Sequence, residues 1–224
     1  MASSHLKRLV APKTWPILRK TTKFIIRPKP NGQTMDLTLP IVVVLREVLG
    51  LVETSKQARD VLQSQKILLN GKRIQTKDAA VGFMDVVSIA DKNYRMLINE
   101  NNKLIVVPAG KEEFTLQKIS DKSTLKSSVT QLNFSSGKNL KVEKDTYKTN
   151  DTVAVDFNKK ITQHYPLSTG VMVLLTGGNH IGKVGKVEKI DGKTITISVS
   201  GMHLETATSH AFVIGKDKPG INLA

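Results

Sequence analysis

Residues 176–187, TGGNHIGKVGKV, decide which of two folds the C-terminal part of the chain can adopt. Gly177, Gly182 and Lys183 reproduce most of the phosphate-binding loop G-x-x-x-x-G-K-[ST], but Val184 stands where a hydroxyl must bind magnesium. Such a loop also opens a helix, whereas the following KVGKVEKIDGKTITISVS alternates apolar and polar residues as strands do. The sequence therefore predicts strands and turns here, not a nucleotide-binding enzyme.

The glycines of this stretch are typical of turns in a small β structure. Strand, glycine-bearing turn, strand, the turn Asp191-Gly192 and the strand TITISV predict a small antiparallel barrel over residues 171–224. Four glycines are expected to supply turn conformations or to permit close backbone approach: Gly177, Gly178, Gly182 and Gly185.

Residues 41–90 are predicted to form a compact module of two helices followed by short strands. In PIVVVLREVLG the apolar residues recur with helical spacing, with Pro40 near the first turn and Gly50 as a stop; a buried strand is the alternative for the valine run. The second helix opens with TSKQ, a capping box from Thr54 to Gln57. After it, Asn70-Gly71 is the strongest hairpin signal in the chain.

Residues 91–170 are predicted to be an all-β domain. YRMLI and KLIVV flank the polar turn NENN, VTQLNF and LKV flank SSGKN, and DTVAVDF is a further strand. No convincing helix pattern is present, and the charge is mixed. We expect this central domain to pack against and orient its neighbours, not to carry chemistry.

The composition indicates an anionic partner. The chain has 224 residues, a formal net charge of +15 and a pI of about 9.9, which favours nucleic acid or an anionic membrane surface. There is no cysteine, so disulfides, thiolate metal sites and cysteine catalysis are excluded and a reducing, intracellular compartment is expected. The longest apolar run, LPIVVVL, is far shorter than the ~20 residues of a membrane span, so a soluble protein is expected.

Residues 1–40 form a basic, proline-punctuated extension, here called the leader. The first acidic residue of the chain is Asp36, and eight Lys or Arg residues precede it. The prolines would interrupt the amphipathic helix of a transit peptide, and the interleaved apolar residues are unusual in a disordered tail. Trp15 has two interpretations that the sequence leaves open: it stacks on an unpaired base, or it anchors the leader on a protein core.

Three stretches resemble known families. SKQARDVLQSQKILLNGKRI followed by FMDVVSI resembles the small RNA-binding module of ribosomal protein S-four, although Lys56 stands where that module usually has Arg. GVMVLLTGGNHIGKVGKVEKI resembles the KOW motif of SH3-like barrels. With the leader HLKRLVAPKTW and the ending FVIGKDKPGINL, the whole chain resembles the small-subunit ribosomal protein S-four-E family of archaea and eukaryotes, and its short C-terminus is similar to archaeal members.

The resemblance implies an α+β, multidomain fold and a non-enzymatic role without cofactor or metal. Its parts would be the leader (1–40), an S-four-type module (41–90), a central β domain (91–170) and a KOW-type SH3-like barrel with the C-terminal tail (171–224). The implied partners are small-subunit rRNA and neighbouring small-subunit ribosomal proteins on cytoplasmic ribosomes, with no membrane and no small-molecule substrate.

Charge and resemblance together give the candidate RNA-binding residues. In the leader they are Lys7, Arg8, Lys13, Trp15, Arg19, Lys20, Lys23, Arg27 and Lys29. In the module they are Lys56, Arg59, Lys66, Asn70, Lys72, Arg73 and Lys77, and in the KOW-type loop Asn179, His180, Lys183 and Lys186. Charge removal at Lys7, Arg8, Arg19 and Lys20 is expected to weaken RNA binding more than the same change at Lys216 and Lys218.

Two other classes of protein are alternatives to a ribosomal protein. An RNA-modifying enzyme carrying the same module would need a catalytic constellation, but the five histidines show no metal-binding spacing and no G-x-S-x-G elbow is present. A KOW-type transcription or assembly factor would need an apolar groove for docking on polymerase, which the sequence does not indicate. The basic leader favours the ribosomal alternative.

Overall fold

The computed structural model describes most of the chain, in the following ranges: 5–64, 67–90, 92–110, 113–125, 129–143, 145–199, 201–216 and 218–223. It divides into two compact units, the first formed by residues 1–97 and 102–113 and the second by residues 98–101 and 114–223. Antiparallel strands make up most of the regular structure and the helices are few. The predicted α+β class is confirmed.

In the described residues, the first unit contains nine strands and the two α-helices. Its elements are β1 His5–Lys7, β2 Phe24–Ile26, β3 Thr38–Pro40, α1 Ile41–Val43, α2 Ser55–Ser64, β4 Leu68–Leu69, β5 Lys72–Arg73, β6 Ala80–Gly82, β7 Val86–Ile89, β8 Lys92–Ile98 and β9 Leu104–Pro108. The strands form two pairs, β1-β2 and β3-β6, and a five-stranded sheet in the order β5-β4-β7-β8-β9.

The predicted first helix is present but is not a continuous α-helix. Pro40 ends β3 in an extended conformation and precedes α1, and after Val43 the chain continues as a π-helix over Val44–Val48. The amide of Leu49 donates to the carbonyl of Val44 at 2.9 Å, which is the wider i→i+5 spacing. Gly50 follows with φ of +62°, the left-handed conformation that glycine adopts without strain.

The second helix and the hairpin form as the sequence predicts. In the capping box of α2, the amide of Gln57 donates to Oγ1 of Thr54 at 3.2 Å, and Oε1 of Gln57 accepts from the amide of Thr54 at 3.0 Å. Asn70 and Gly71 connect β4 and β5 with φ values of +49° and +77°. Two successive left-handed residues give a turn whose twist matches that of the strands.

The second unit consists of two five-stranded antiparallel sheets. The central sheet has the order β12-β11-β10-β13-β14 and is formed by β10 Phe114–Thr124, β11 Thr130–Phe134, β12 Asn139–Val142, β13 Thr152–Asp156 and β14 Ile161–Tyr165. The C-terminal sheet has the order β18-β17-β16-β15-β19 and is formed by β15 Met172–Leu175, β16 Val184–Asp191, β17 Thr194–Val199, β18 Met202–Ala207 and β19 Ala211–Gly215. Each sheet has an apolar cluster of its own.

The stretch 176–187 is a turn followed by a strand, as predicted. Lys183 precedes β16, and no helix follows it, so the amides needed to cradle phosphate are not arrayed there. Gly182 has φ of +80°, and a Cβ at this position would collide with the backbone carbonyl of Asn99. Both constraints require glycine.

Lys118 links the two sheets of the second unit. It lies on β10 and is 5% exposed, and its ammonium donates to three backbone carbonyls at the start of β19: Thr208 at 3.1 Å, Ser209 at 2.7 Å and Ala211 at 2.7 Å. The amide of Val213 also donates to Oγ1 of Thr152 at 3.2 Å. Burial lowers the pKa of Lys118 to about 8.

Candidate nucleic-acid interface

Most of the predicted basic residues of the first unit are exposed. This set, here called the basic surface, consists of Lys7, Lys13, Lys20, Lys23, Arg27, Lys29, Lys56, Arg59, Lys72 and Arg73. Lys77 is half-buried, and Lys66 lies outside the described residues. Because phosphate must reach the charged group directly, exposure is the first requirement for an RNA contact, and this set meets it.

Two contacts hold parts of the basic surface in place. The amide of Lys29 donates to the carbonyl of Asp78 at 2.8 Å, and its ammonium lies 3.4 Å from the Asp78 carboxylate. Arg73 on β5 donates to the carbonyl of Gln63 at the end of α2, at 3.1 Å. The leader is thus bonded to the module, and the hairpin is bonded to its helix.

Arg8 does not belong to this surface, and its prediction as an RNA contact is corrected. Only 4% of the residue is exposed. Its guanidinium donates to Glu47 at 2.9 Å, to Oγ1 of Thr22 at 3.3 Å and to the carbonyl of Leu18 at 2.5 Å. These acceptors use the guanidinium N–H donors that would otherwise bind phosphate. Arg8 therefore links the leader to the π-helix.

Glu47 is shared by two arginines. Arg46 donates to the same oxygen at 3.0 Å and also to Oγ of Ser55 at 3.2 Å, at the start of α2. Burial raises the pKa of the Glu47 carboxyl, but the hydrogen bonds from Arg8 and Arg46 outweigh this, so its pKa lies below the ordinary 4.5. The carboxylate is therefore ionised at neutral pH and holds the leader, the π-helix and α2 together.

Trp15 and Arg19 also serve the fold. Trp15 is fully buried, and its Nε1 donates to the carbonyl of Met35 at 3.2 Å, so the anchoring interpretation is correct and stacking on a base is not. Arg19 is half-buried and donates to the carbonyls of Ala11 and Pro12, each at 2.6 Å. Its guanidinium closes a loop of the leader.

Both polar groups of the Asn70 side chain are also hydrogen-bonded within the protein. Its Nδ2 donates to the carboxylate of Asp85 at 2.7 Å, and its Oδ1 accepts from the amide of Val86 at 2.9 Å. Both ends of the side-chain amide therefore hold the hairpin on β7. Asn70 shapes the turn that carries Lys72 and Arg73, and we remove it from the set of contacts.

The four predicted RNA-binding residues of the second unit, at the turn before β16 and at the start of that strand, differ in exposure. Asn179 and Lys186 are exposed, whereas His180 and Lys183 are half-buried. The amide of Lys183 donates to the carbonyl of His180 at 3.3 Å, and the amide of Gly182 donates to the carbonyl of Leu175 at 2.8 Å. The turn is thus internally bonded, with Asn179 at its outer side.

The first unit also contains a cleft that no sequence motif predicts. It has a volume of about 1100 Å³ and is lined by leader residues around β2 and by residues between the π-helix and α2, including Phe24 and Arg46. Phe24 is 47% exposed, and the Lys23 ammonium lies 5.4 Å from its ring centroid. The signal available in the sequence was an aromatic residue inside a basic segment.

Other kinds of site find no support in the part of the chain that the structure describes. No group of three His, Cys, Asp or Glu residues there is arranged to hold a metal ion. None of the helices in the described ranges is long and apolar enough to cross a bilayer.

Comparisons with known proteins agree with one another. A family model described as Ribosomal family S4e matches residues 90–161, and a model of the RS4NT domain matches residues 2–30. The small ribosomal subunit protein eS4 of Methanocella arvoryzae is 35% identical, over 99% of this chain and 98% of that protein. The eS4 protein of Methanocaldococcus jannaschii is 32% identical, over 98% of this chain and 97% of that protein. The crystal structure of the 30S ribosomal protein S4e from Thermoplasma acidophilum matches with a TM-score of 0.70 and 25% identity, covering 80% of this chain and 96% of that one.

Proposed function

The chain belongs to the ribosomal protein family S4e, a family of structural proteins of the small ribosomal subunit and not of enzymes, and from this membership we propose that it binds small-subunit rRNA through the basic surface. Neighbouring small-subunit proteins are its further partners, on ribosomes in the cytoplasm. The mechanism is phosphate neutralisation by Lys and Arg together with recognition of RNA shape.

One observation carries the proposal. Ten of the predicted basic residues of the first unit are exposed, while the two leader arginines that are not exposed are used to fold it. The leader is therefore folded, and its other Lys and Arg side chains are exposed to solvent. Each phosphate that these cations neutralise releases counterions, which favours binding at low salt.

The finer assignments of the four parts belong to the same proposal. Support for an S-four-type module over residues 41–90 comes from the capped helix α2, the Asn70-Gly71 hairpin and Arg73, which bonds the hairpin to α2. For residues 171–224 as a KOW-type SH3-like barrel, support comes from the antiparallel order β18-β17-β16-β15-β19 and the glycine-dependent turn before β16. Asn179 and Lys186 are its proposed RNA contacts, with His180 and Lys183 at the same turn.

Binding of small-subunit rRNA at increasing salt tests the proposal. A variant with Lys7, Lys13, Lys20 and Lys56 changed to Gln is compared with a control that loses the same charge from exposed positions of the second unit: Lys141, Lys160, Lys193 and Lys216. Each phosphate contact adds about 0.9 to the slope of log K against log salt. The first variant should have a slope lower by about 3 to 4, and the control should keep most of the wild-type slope.

Sedimentation of cell extracts tests the ribosomal role independently. We expect the protein in the small-subunit fraction of a sucrose gradient at moderate salt. Equal slopes for the two variants would refute the basic surface as the main contact. A protein that sediments free or with polymerase would refute the ribosomal role itself.

A further inference from the structure

The second unit has a cleft of its own, where the end of β14 lies beside the segment that follows β19. Its volume is about 610 Å³, within the range of ligand sites, ~300–1,000 Å³. In the described part of the chain its polar side chains are those of Gln163, His164, Tyr165, Lys216 and Lys218. These residue types all carry N–H or O–H donors, and none of them is a carboxylate.

The segment that carries the two lysines is folded back on β19. The amide of Gly220 donates to the carbonyl of Ile214 at 2.8 Å. A Cβ at Gly215 would collide with the carbonyl of Lys218, so the turn requires a residue without a side chain at this position. The close packing of the backbone brings Lys216 and Lys218 to one cleft.

Hydrogen bonds assign the acceptors on the β14 side of the cleft. The hydroxyl of Tyr165 donates to Oε1 of Gln163, so Gln163 offers its Nε2 donors. Burial raises the pKa of Tyr165, so this hydroxyl remains uncharged. Asp151 does not line the cleft and is 3% exposed, and its carboxylate accepts from two backbone amides and lies 2.7 Å from Nε2 of His164. The charge of Asp151 is therefore compensated inside the protein.

The charges at the cleft favour an anionic ligand. Among the residues that the structure describes, no carboxylate is paired with Lys216 or Lys218. Asp217 stands between them in the sequence and lies outside the described residues. Even when its charge is counted, two lysines and one aspartate leave the segment 216–218 positive. Two ammonium groups and a side-chain amide match the acceptor oxygens of a phosphate group.

We infer that this cleft binds one phosphate group of the RNA backbone through the ammonium groups of Lys216 and Lys218, with Nε2 of Gln163 as a third donor. The inference rests on the proposed rRNA binding and adds a contact site in the second unit to it. A single phosphate agrees with the smaller effect that is expected for these two lysines than for those of the leader.

The location of the cleft favours RNA over free phosphate as the source of this group. Met172 of β15 pairs with Lys186 of β16 on one side and with Gly215 of β19 on the other. Lys186, a proposed RNA contact, is thus two strands away from the cleft, which is roughly 10 Å. One segment of RNA backbone can therefore contact both.

Binding of small-subunit rRNA by the full-length protein at increasing salt tests the inference. The variant Lys216→Gln/Lys218→Gln is compared with Lys141→Gln/Lys160→Gln, which removes the same charge from exposed positions of this unit outside the cleft. The cleft variant should bind about tenfold more weakly, with a slope of log K against log salt lower by about 0.9. The control should bind within about twofold of the wild type. Far-UV circular dichroism reports that each variant is folded.

A second pair of variants tests the third donor while keeping both lysines. Gln163→Glu places a carboxylate beside the phosphate and should weaken binding about fivefold or more. Asn139→Asp adds the same charge at an exposed position outside the cleft, and its affinity should stay within about twofold of the wild-type value.

Two results would overturn the inference. Wild-type affinity of Gln163→Glu would show that no anion lies beside Gln163. Equal affinities and slopes for the two double variants would show that no RNA phosphate lies in the cleft. If inorganic phosphate at constant ionic strength then binds to the wild type and not to the cleft variant in calorimetry, the ligand is free phosphate and the RNA source is wrong. None of these results bears on the basic surface, which is tested by the variant lacking Lys7, Lys13, Lys20 and Lys56.

Discussion

Replacing Lys118 by Met is expected to change both the stability of the second unit and its dependence on pH. Met matches the length of the lysine stem but has no donor for the carbonyls of Thr208, Ser209 and Ala211. Carbonyls left without a donor in a buried position raise the free energy of the folded state. We expect the free energy of unfolding at neutral pH to fall by about 2 to 3 kcal/mol.

The pH dependence follows from the lowered pKa of Lys118. Its folded pKa is about 8 and its ordinary value is 10.5, a difference that corresponds to about 3 kcal/mol. Below about pH 8 the amine is protonated in both states and the cost of burying its charge is present in full. Between the two values the unfolded chain binds more protons than the folded one, so stability rises with pH. From about pH 7.5 to 9.5 the gain is about 2 kcal/mol.

Urea denaturation of the wild type and Lys118→Met at both pH values measures this gain directly. The stability gap between the two proteins should widen by about 2 kcal/mol at the higher pH, because other titrating groups cancel in the difference. Lys160→Met changes an exposed lysine of the same unit. Its free energy of unfolding should stay within about 0.5 kcal/mol of the wild-type value at both pH values. A gap that stays constant or narrows with pH would refute the reasoning, since the ammonium would then not be destabilised by burial.

Three further outcomes are expected. Glu47→Gln should lower stability by about 1 to 3 kcal/mol at neutral pH, because Arg8 loses its carboxylate. Since the folded pKa of Glu47 lies below 4.5, this gap should be present above pH 4.5 and close as the pH falls through the folded value, as urea denaturation followed by Trp15 fluorescence would show. Thr54→Ala should cost about 1 kcal/mol through the lost cap and speed hydrogen exchange in the first turn of α2, whereas Thr54→Ser should not. Gly182→Ala should lower the melting temperature clearly more than Gly192→Ala, because both residues have positive φ but only Gly182 faces a backbone carbonyl.

Local signals accounted for the parts of the fold that the sequence predicts correctly. The capping box spans four residues and the Asn70-Gly71 turn two, so the residues that determine each structure are adjacent in the chain. The rejection of a phosphate-binding loop at 176–187 was equally local, because it rested on one residue and on the periodicity after it.

The errors concern side chains whose partners lie far along the chain. Arg8 is bonded to Glu47, 39 residues later, and Trp15 to the carbonyl of Met35, 20 residues later. Periodicity carries no information about such pairs, and a Lys or Arg in a basic segment has the same sequence pattern whether it faces RNA or a carboxylate. The π-helix over Val44–Val48 was missed for a related reason, since its apolar spacing is close to that of an α-helix.

The folding of the leader bears on the thermodynamics of assembly. A disordered basic tail loses conformational entropy when RNA orders it, and such binding shows a large negative heat-capacity change. Here β1 pairs with β2, Trp15 is buried and Arg8 is bonded before any RNA is bound. The side chains of the basic surface are therefore presented by a preorganised backbone, and the association of this segment resembles the docking of a rigid body more than coupled folding.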